Sequence, residues 1–291
     1  MPAPMTASKL LTRLSVALLC LGIAVLPARA GERTGEALGV VRAIFYHELG
    51  HGMIDAVRLP VVGPEEAVVD EFSTYVLILT GQNSTRQIEA LRTIGSFWYL
   101  LAAQGQNAPA WGEHSPSDRR AYAVFCLLYG SNPAAFADLV ITYGVPPRRA
   151  AQCEREYREK EATWIGLLQP HLRGAEGAGT AGFEVRYEAP SDETRAVERL
   201  WQQSRFLESL ANEAGALFGL PRPMPVIGRS CGFANAYWDG TAITLCYELT
   251  AWIESVLASE ETGDGGATST PGAPGAAAGG MQNLNAILGS E

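Results

Sequence analysis

His47, Glu48 and His51 stand as His-Glu-Leu-Gly-His inside an apolar run that begins Ala43-Ile44-Phe45-Tyr46. Residues four apart share one face of a helix, so both imidazoles can point nitrogens at one metal ion. Glu48 projects in a neighbouring direction, where a carboxylate can act as general base on a water at the metal. Zinc suits this donor set: it accepts nitrogen and carboxylate ligands, and its catalytic sites keep one position open for water. The five-residue pattern is short, and a helix with two hydrogen-bonded histidines also satisfies it.

A third ligand must come from elsewhere. Leu59-Pro60-Val61-Val62-Gly63-Pro64 stops the first helix and turns the chain. Glu65-Glu66-Ala67-Val68-Val69-Asp70-Glu71-Phe72 then opens a second helix, with Pro64 suited to its start. Glu66 and Asp70 share a face. Glu66 is the expected third ligand, and Asp70 the carboxylate that orients a ligand histidine from behind. Glu65 is the rival ligand. An acidic first turn also complements the helix dipole, which accounts for Glu65 and Glu66 but not for Asp70 on an apolar helix.

With these residues in view the chain resembles zincin metallopeptidases whose third ligand is a glutamate on the next helix. More narrowly, it is similar to a bacterial family described as "putative metallopeptidase", of unknown function. Further matching stretches are Trp111-Gly112-Glu113-His114, Cys126-Leu127-Leu128-Tyr129-Gly130, and Asn235-Ala236-Tyr237 running on to Cys246-Tyr247-Glu248-Leu249. The resemblance covers roughly Gly39 to Leu257 and implies proteolysis of a peptide or protein substrate. Relatives tend to carry Ala before the second-helix aspartate, where this chain has Val69. That departure leaves the ligands intact.

The elements that must position these residues follow in order. Residues 1–30 read as a signal peptide: Lys9 and Arg13 make the positive start, Leu14 to Leu26 the apolar stretch, and Ala28-Arg29-Ala30 the cleavage site. The apolar stretch is short for a span, which needs about 20 residues, so no membrane span is expected after its removal. Losing Lys9, Arg13 and Arg29 leaves 19 basic against 31 acidic residues, a formal charge of −12. So acidic a chain suits neither nucleic acid nor an anionic membrane as partner. Cys126, Cys153, Cys231 and Cys246 remain, an even number that suggests two disulfides in a periplasmic or secreted protein. The local pairings, Cys126–Cys153 and Cys231–Cys246, are preferred among three.

Residues 31–178 are expected as a helical half. It comprises the motif helix from Gly35 to Val57, the second helix from Glu65 to Thr80, and a third from Arg86 to Gln104. Further helices are expected from Arg119, Pro133 and Arg148, the last ending near His171 as a C-terminal cap. In the Ala110–Asp118 loop, Ser117 or Asp118 is the expected cap. His114 can stabilise an oxyanion, bridge to a carboxylate of the second helix, or simply tie down the turn. After a Gly/Ala linker, residues 179–258 read as a strand–helix–hairpin half. Its parts are a strand from Phe183 to Tyr187, one long helix from Arg195 to Phe218, a strand from Met224 to Arg229, and a hairpin about Asp239-Gly240. Residues 259–291 are rich in Gly, Ala, Ser, Thr and Pro and are expected to be disordered.

The fold class expected is α+β and mostly helical. Zincins usually place a sheet before the His-Glu helix, whereas here the sheet-like half follows it. The resemblance therefore implies a circularly permuted zincin, in which the strand carrying Asn235 and Tyr237 lines the cleft and adds to a peptide edge. Tyr237 becomes a second oxyanion candidate. The leading functional reading is an exported zinc metallopeptidase: Zn2+ on His47, His51 and Glu66, with Glu48 as base. The other class is a non-catalytic binding protein that docks partners through its hairpin edge. Glu48 favours the first, because a structural site needs no base beside its ligands. The oligomeric state is not legible.

Overall fold

The computed structural model describes residues 7–81, 85–109 and 111–261. Most of the expected tail lies outside them. Helix α1 (Ala7–Val57) is the axis of the molecule, packing against α2 (Glu65–Gly81), α3 (Thr85–Ala103) and α9 (Glu248–Glu261). It runs back through the expected leader and does not begin at Gly35. Its C-terminal part is buried all round: Phe45, Tyr46, Leu49 and Met53 lose all their exposure. The helix stops where Arg58 takes a left-handed φ of 56° and Pro60 follows, a combination that cannot continue a helix.

Two glycines set the distances around α1. A Cβ on Gly50 would come within 2.9 Å of Val69, so only glycine lets α2 approach this closely. A Cβ on Gly52 would meet Met224 at 2.9 Å, on the side where the sheet packs. The motif helix is thus gripped by α2 on one flank and by the sheet on the other. Helices α4 (Ser117–Ser131), α5 (Pro133–Thr142) and α6 (Pro147–Leu168) complete the helical half. A 3-10 turn, Gln169–His171, closes α6. Pro116, not Ser117 or Asp118, occupies the N-cap of α4. Ser117 instead donates to the Gln106 carbonyl, and Asp118 accepts from the Arg119 N–H.

The second half is a four-stranded sheet in the order β1-β2-β4-β3, with β1 Phe183–Tyr187, β2 Met224–Arg229, β3 Ala236–Trp238 and β4 Ile243–Cys246. The first three in that order are parallel, and β3 lies antiparallel on the edge, with Tyr237 opposite Thr244. The expected long helix is two: α7 (Arg195–Gln203) and α8 (Phe206–Leu217), broken at Arg205 with φ 52°. The break lets the β1–β2 crossover fold back, with Leu207 and Leu210 fully buried.

Both expected disulfides are present. Cys126–Cys153 ties α4 to α6, and Cys231–Cys246 ties the β2–β3 loop to the end of β4. Glu248 reinforces the second tie by accepting from the Cys231 and Gly232 N–H groups. Among the described residues no helix is long and apolar enough to cross a membrane. The protein is therefore a mostly helical α+β structure with a small mixed sheet.

Candidate metal centre

Helical spacing carries His47 and His51 onto the face of α1 that meets the start of α2, their rings 5.1 Å apart. The Glu66 carboxylate lies between them, 3.1 Å from His47 Nε2 and 3.4 Å from His51 Nε2. One donor atom from each of the three falls within 4.8 Å of the others.

Each histidine is held from behind. His47 Nδ1 lies 2.9 Å from Asp70, and His51 Nδ1 lies 2.7 Å from Glu65. Carboxylates at both Nδ1 atoms fix the tautomer with hydrogen on Nδ1 and leave the Nε2 lone pairs facing Glu66. Two lone pairs and a carboxylate cannot face one another stably unless protons or a cation lie between them. In the metal-free cluster protons serve. Burial works against a charge on His47, but Asp70 and Glu66 outweigh it and push its pKa up to about 10. Glu66 is likewise opposed by burial, yet His114, His47 and His51 hold its carboxyl far below the usual range. The donor set fits a zinc ion, whose sites use two imidazoles, one carboxylate and oriented outer partners.

The remaining sequence candidates fall as follows. His114 reaches the cluster, with Nε2 2.7 Å from Glu66, so it bridges to the second helix. Burial lowers its pKa, which keeps the ring neutral. Glu48 is buried one residue from His47. Burial and the Glu66 charge raise its carboxyl, while His47, His51 and a hydrogen bond from the Trp238 main chain pull it down. The edge strand β3 therefore borders Glu48 directly. Strand alternation turns Trp238 toward α1, where its indole N–H donates to Asp55 at 2.5 Å. Tyr237 lies on the opposite face of β3.

Two residues were not anticipated in these roles. Glu65 lies against His51 Nδ1, while Glu66 lies on the Nε2 side. Arg120, at 5 % exposure, ion-pairs with Asp70 and stacks 3.6 Å over the Trp98 ring. Burial raises the Asp70 carboxyl, but the Arg120 charge and the His47 contact bring it down to about 2. The signal for Arg120 lies in Arg119-Arg120 within the first turn of α4, where a helix dipole disfavours cations.

The chain belongs to the family described as "Putative metallopeptidase", whose profile matches residues 27–168 and 187–273. No curated protein and no solved structure matches it. Membership supports peptide hydrolysis and a bound metal in general terms.

Proposed function

We propose that the protein is an exported zinc-dependent peptidase, with His47, His51 and Glu66 as metal ligands and Glu48 as general base. The observation that carries this reading is the convergence of three lone-pair donors, each histidine backed by its own carboxylate, beside a fourth carboxylate that is not a ligand. A zinc ion held there would polarise the scissile carbonyl and make water more acidic. The protein's own residues do the rest. Glu48 takes a proton from the attacking water as the new C–O bond forms, and returns it to the amine nitrogen as the C–N bond breaks. Burial raises its carboxyl above the ordinary range, which makes it the stronger base for the first transfer. Asp70 and Glu65 hold hydrogen on Nδ1 of the two imidazoles and keep the rings turned, so that Nε2 faces the ion once its own proton is lost. His114, which reaches the cluster through Glu66, is the candidate donor to the oxyanion. A neutral His114 has one N–H, so it can serve the oxyanion only by releasing Glu66.

We also read the chain as a circularly permuted zincin. The edge strand that borders Glu48 comes from the second half, after the motif helix, and a peptide adding to that edge would lie across the base. Two disulfides and the Ala28-Arg29-Ala30 site support export. Cleavage there leaves every site residue in place.

Elemental analysis of the purified mature chain tests the ligand set. About one zinc per chain is expected, lost in His47→Ala, His51→Ala and Glu66→Gln but kept, more weakly, in Glu65→Gln. Zinc retained by Glu66→Gln and lost by Glu65→Gln would exchange the roles of the two glutamates.

A further inference from the structure

A cavity of about 890 Å³ opens between α1, α2, α3, α4 and α6. His47 and Glu48 contribute to one wall, but His51, Glu66 and His114 do not line it. The cavity therefore flanks the metal centre without enclosing it. Arg119, Ala123, Gly144 and Pro146 are exposed residues of the wall, so it opens to solvent between the start of α4 and the turn from α5 into α6.

Two of the cations in the wall are matched: Lys160 pairs with Glu71, and Arg149 with Glu156 at 2.8 Å. The first turn of α4 is different. It carries Arg119 and Arg120 side by side, where a helix dipole disfavours cations. Arg119 makes no ion pair among the described residues. Arg120 gives only Nη2 to Asp70. Its Nε and Nη1 are buried and have no acceptor among the described residues. Trp98 covers one face of the guanidinium, but the N–H bonds lie in the guanidinium plane, so stacking does not satisfy them. Buried charged donors without an acceptor are costly, and an anion entering the cavity would relieve that cost.

The rest of the wall narrows the anion. Ile44, Ile94, Val124 and Leu127 offer an apolar lining, and burial against them gains roughly 25 cal/mol per Å². Glu48, Glu71, Asp118 and Glu156 also face the space and would repel a second negative charge. We propose that the cavity is a binding site for a small monocarboxylate with an apolar body, its carboxylate held by Arg119 and Arg120. The site is distinct from the metal centre, and the peptidase reading stands or falls without it.

Titration calorimetry at pH 7 with 3-phenylpropionate as probe tests the site, on the zinc-loaded and on the metal-free mature protein. Saturable binding is expected in both. The neutral 3-phenylpropanamide, which lacks the charge, and acetate, which lacks the body, should each bind at least about tenfold more weakly. Arg119→Gln and Arg120→Met should each weaken the probe by about tenfold or more. Ala123→Trp, which fills the mouth, should do the same. Arg119 and Ala123 are exposed, so these two variants decide the matter if Arg120→Met fails to fold. Arg148→Gln, an exposed arginine outside the lining, should change nothing. Four results overturn the proposal: no saturable binding, amide binding equal to that of the acid, full affinity in Arg119→Gln or Ala123→Trp, or binding that vanishes with the zinc and so places the carboxylate on the ion.

Discussion

Replacing Arg120 by Met removes the buried cation behind Asp70 while keeping most of the side chain's bulk. Arg120 is 5 % exposed and its partner's side chain 24 %. Breaking a buried pair from one side costs about 3–5 kcal/mol, and the lower end applies here because Asp70 keeps His47 and some water. A second route gives a similar figure. The Asp70 carboxyl is moved from 3.8 to about 2, which at about 1.4 kcal/mol per pH unit is roughly 2.5 kcal/mol. The sign follows from the lowered folded pKa: the contribution is complete above pH 4 and is lost as pH falls toward 2. At pH 7 Arg120→Met should therefore lose about 3 kcal/mol in urea unfolding of the metal-free protein. The gap to wild type should close in acid. With Asp70 less firmly ionised, His47 is less firmly turned, and zinc affinity should fall about ten- to a hundredfold. The lost stacking on Trp98 is separated by a double-mutant cycle with Asp70→Asn, in which a coupling of at least about 1 kcal/mol is expected. A variant within about 0.5 kcal/mol of wild type that binds zinc unchanged would refute the positioning argument.

Zinc binding should release protons. His47 is held protonated up to about pH 10 in the metal-free cluster, so a ligand nitrogen must be freed. Apparent affinity should rise as pH rises from 6 to 9, and calorimetry in buffers of different ionisation enthalpy should find at least one proton released per zinc. Pairing Cys126 with Cys153 closes 27 residues and pairing Cys231 with Cys246 closes 15. Replacing each pair by Ala should cost about 3.5 and about 3 kcal/mol respectively, measured by chemical denaturation. A loss below 1 kcal/mol for both pairs would show that the closed loops are already ordered without them.

What could be seen in the sequence was what lies close along the chain. His47, His51, Glu66 and Asp70 are set by spacings of four on two successive helices, and Gly50 between them allows the contact. The local strands and the hairpin at Asp239-Gly240 declared themselves through alternation and turn chemistry. Arg120 did not, because it meets Asp70 across 50 positions, and a cation in the first turn of α4 is a local oddity that does not name its partner. Arg205 hid the break between α7 and α8: a non-glycine residue at positive φ leaves no Gly or Pro to signal the stop. Trp238 was passed over for Tyr237, since which face of β3 meets α1 depends on how the sheet docks at Gly52. The sheet order, with β4 between β2 and β3, likewise depends on pairings that no single stretch encodes.

The central claim is that Glu48 is a base beside a metal and not a ligand of it. The direct measurement is peptide hydrolysis by zinc-loaded Glu48→Gln against wild type at equal zinc content. Glutamine keeps the shape and cannot accept the proton, so zinc should stay bound while hydrolysis falls by about 10²–10⁴. Loss of zinc from Glu48→Gln, or hydrolysis within a few-fold of wild type with zinc bound, would contradict the account.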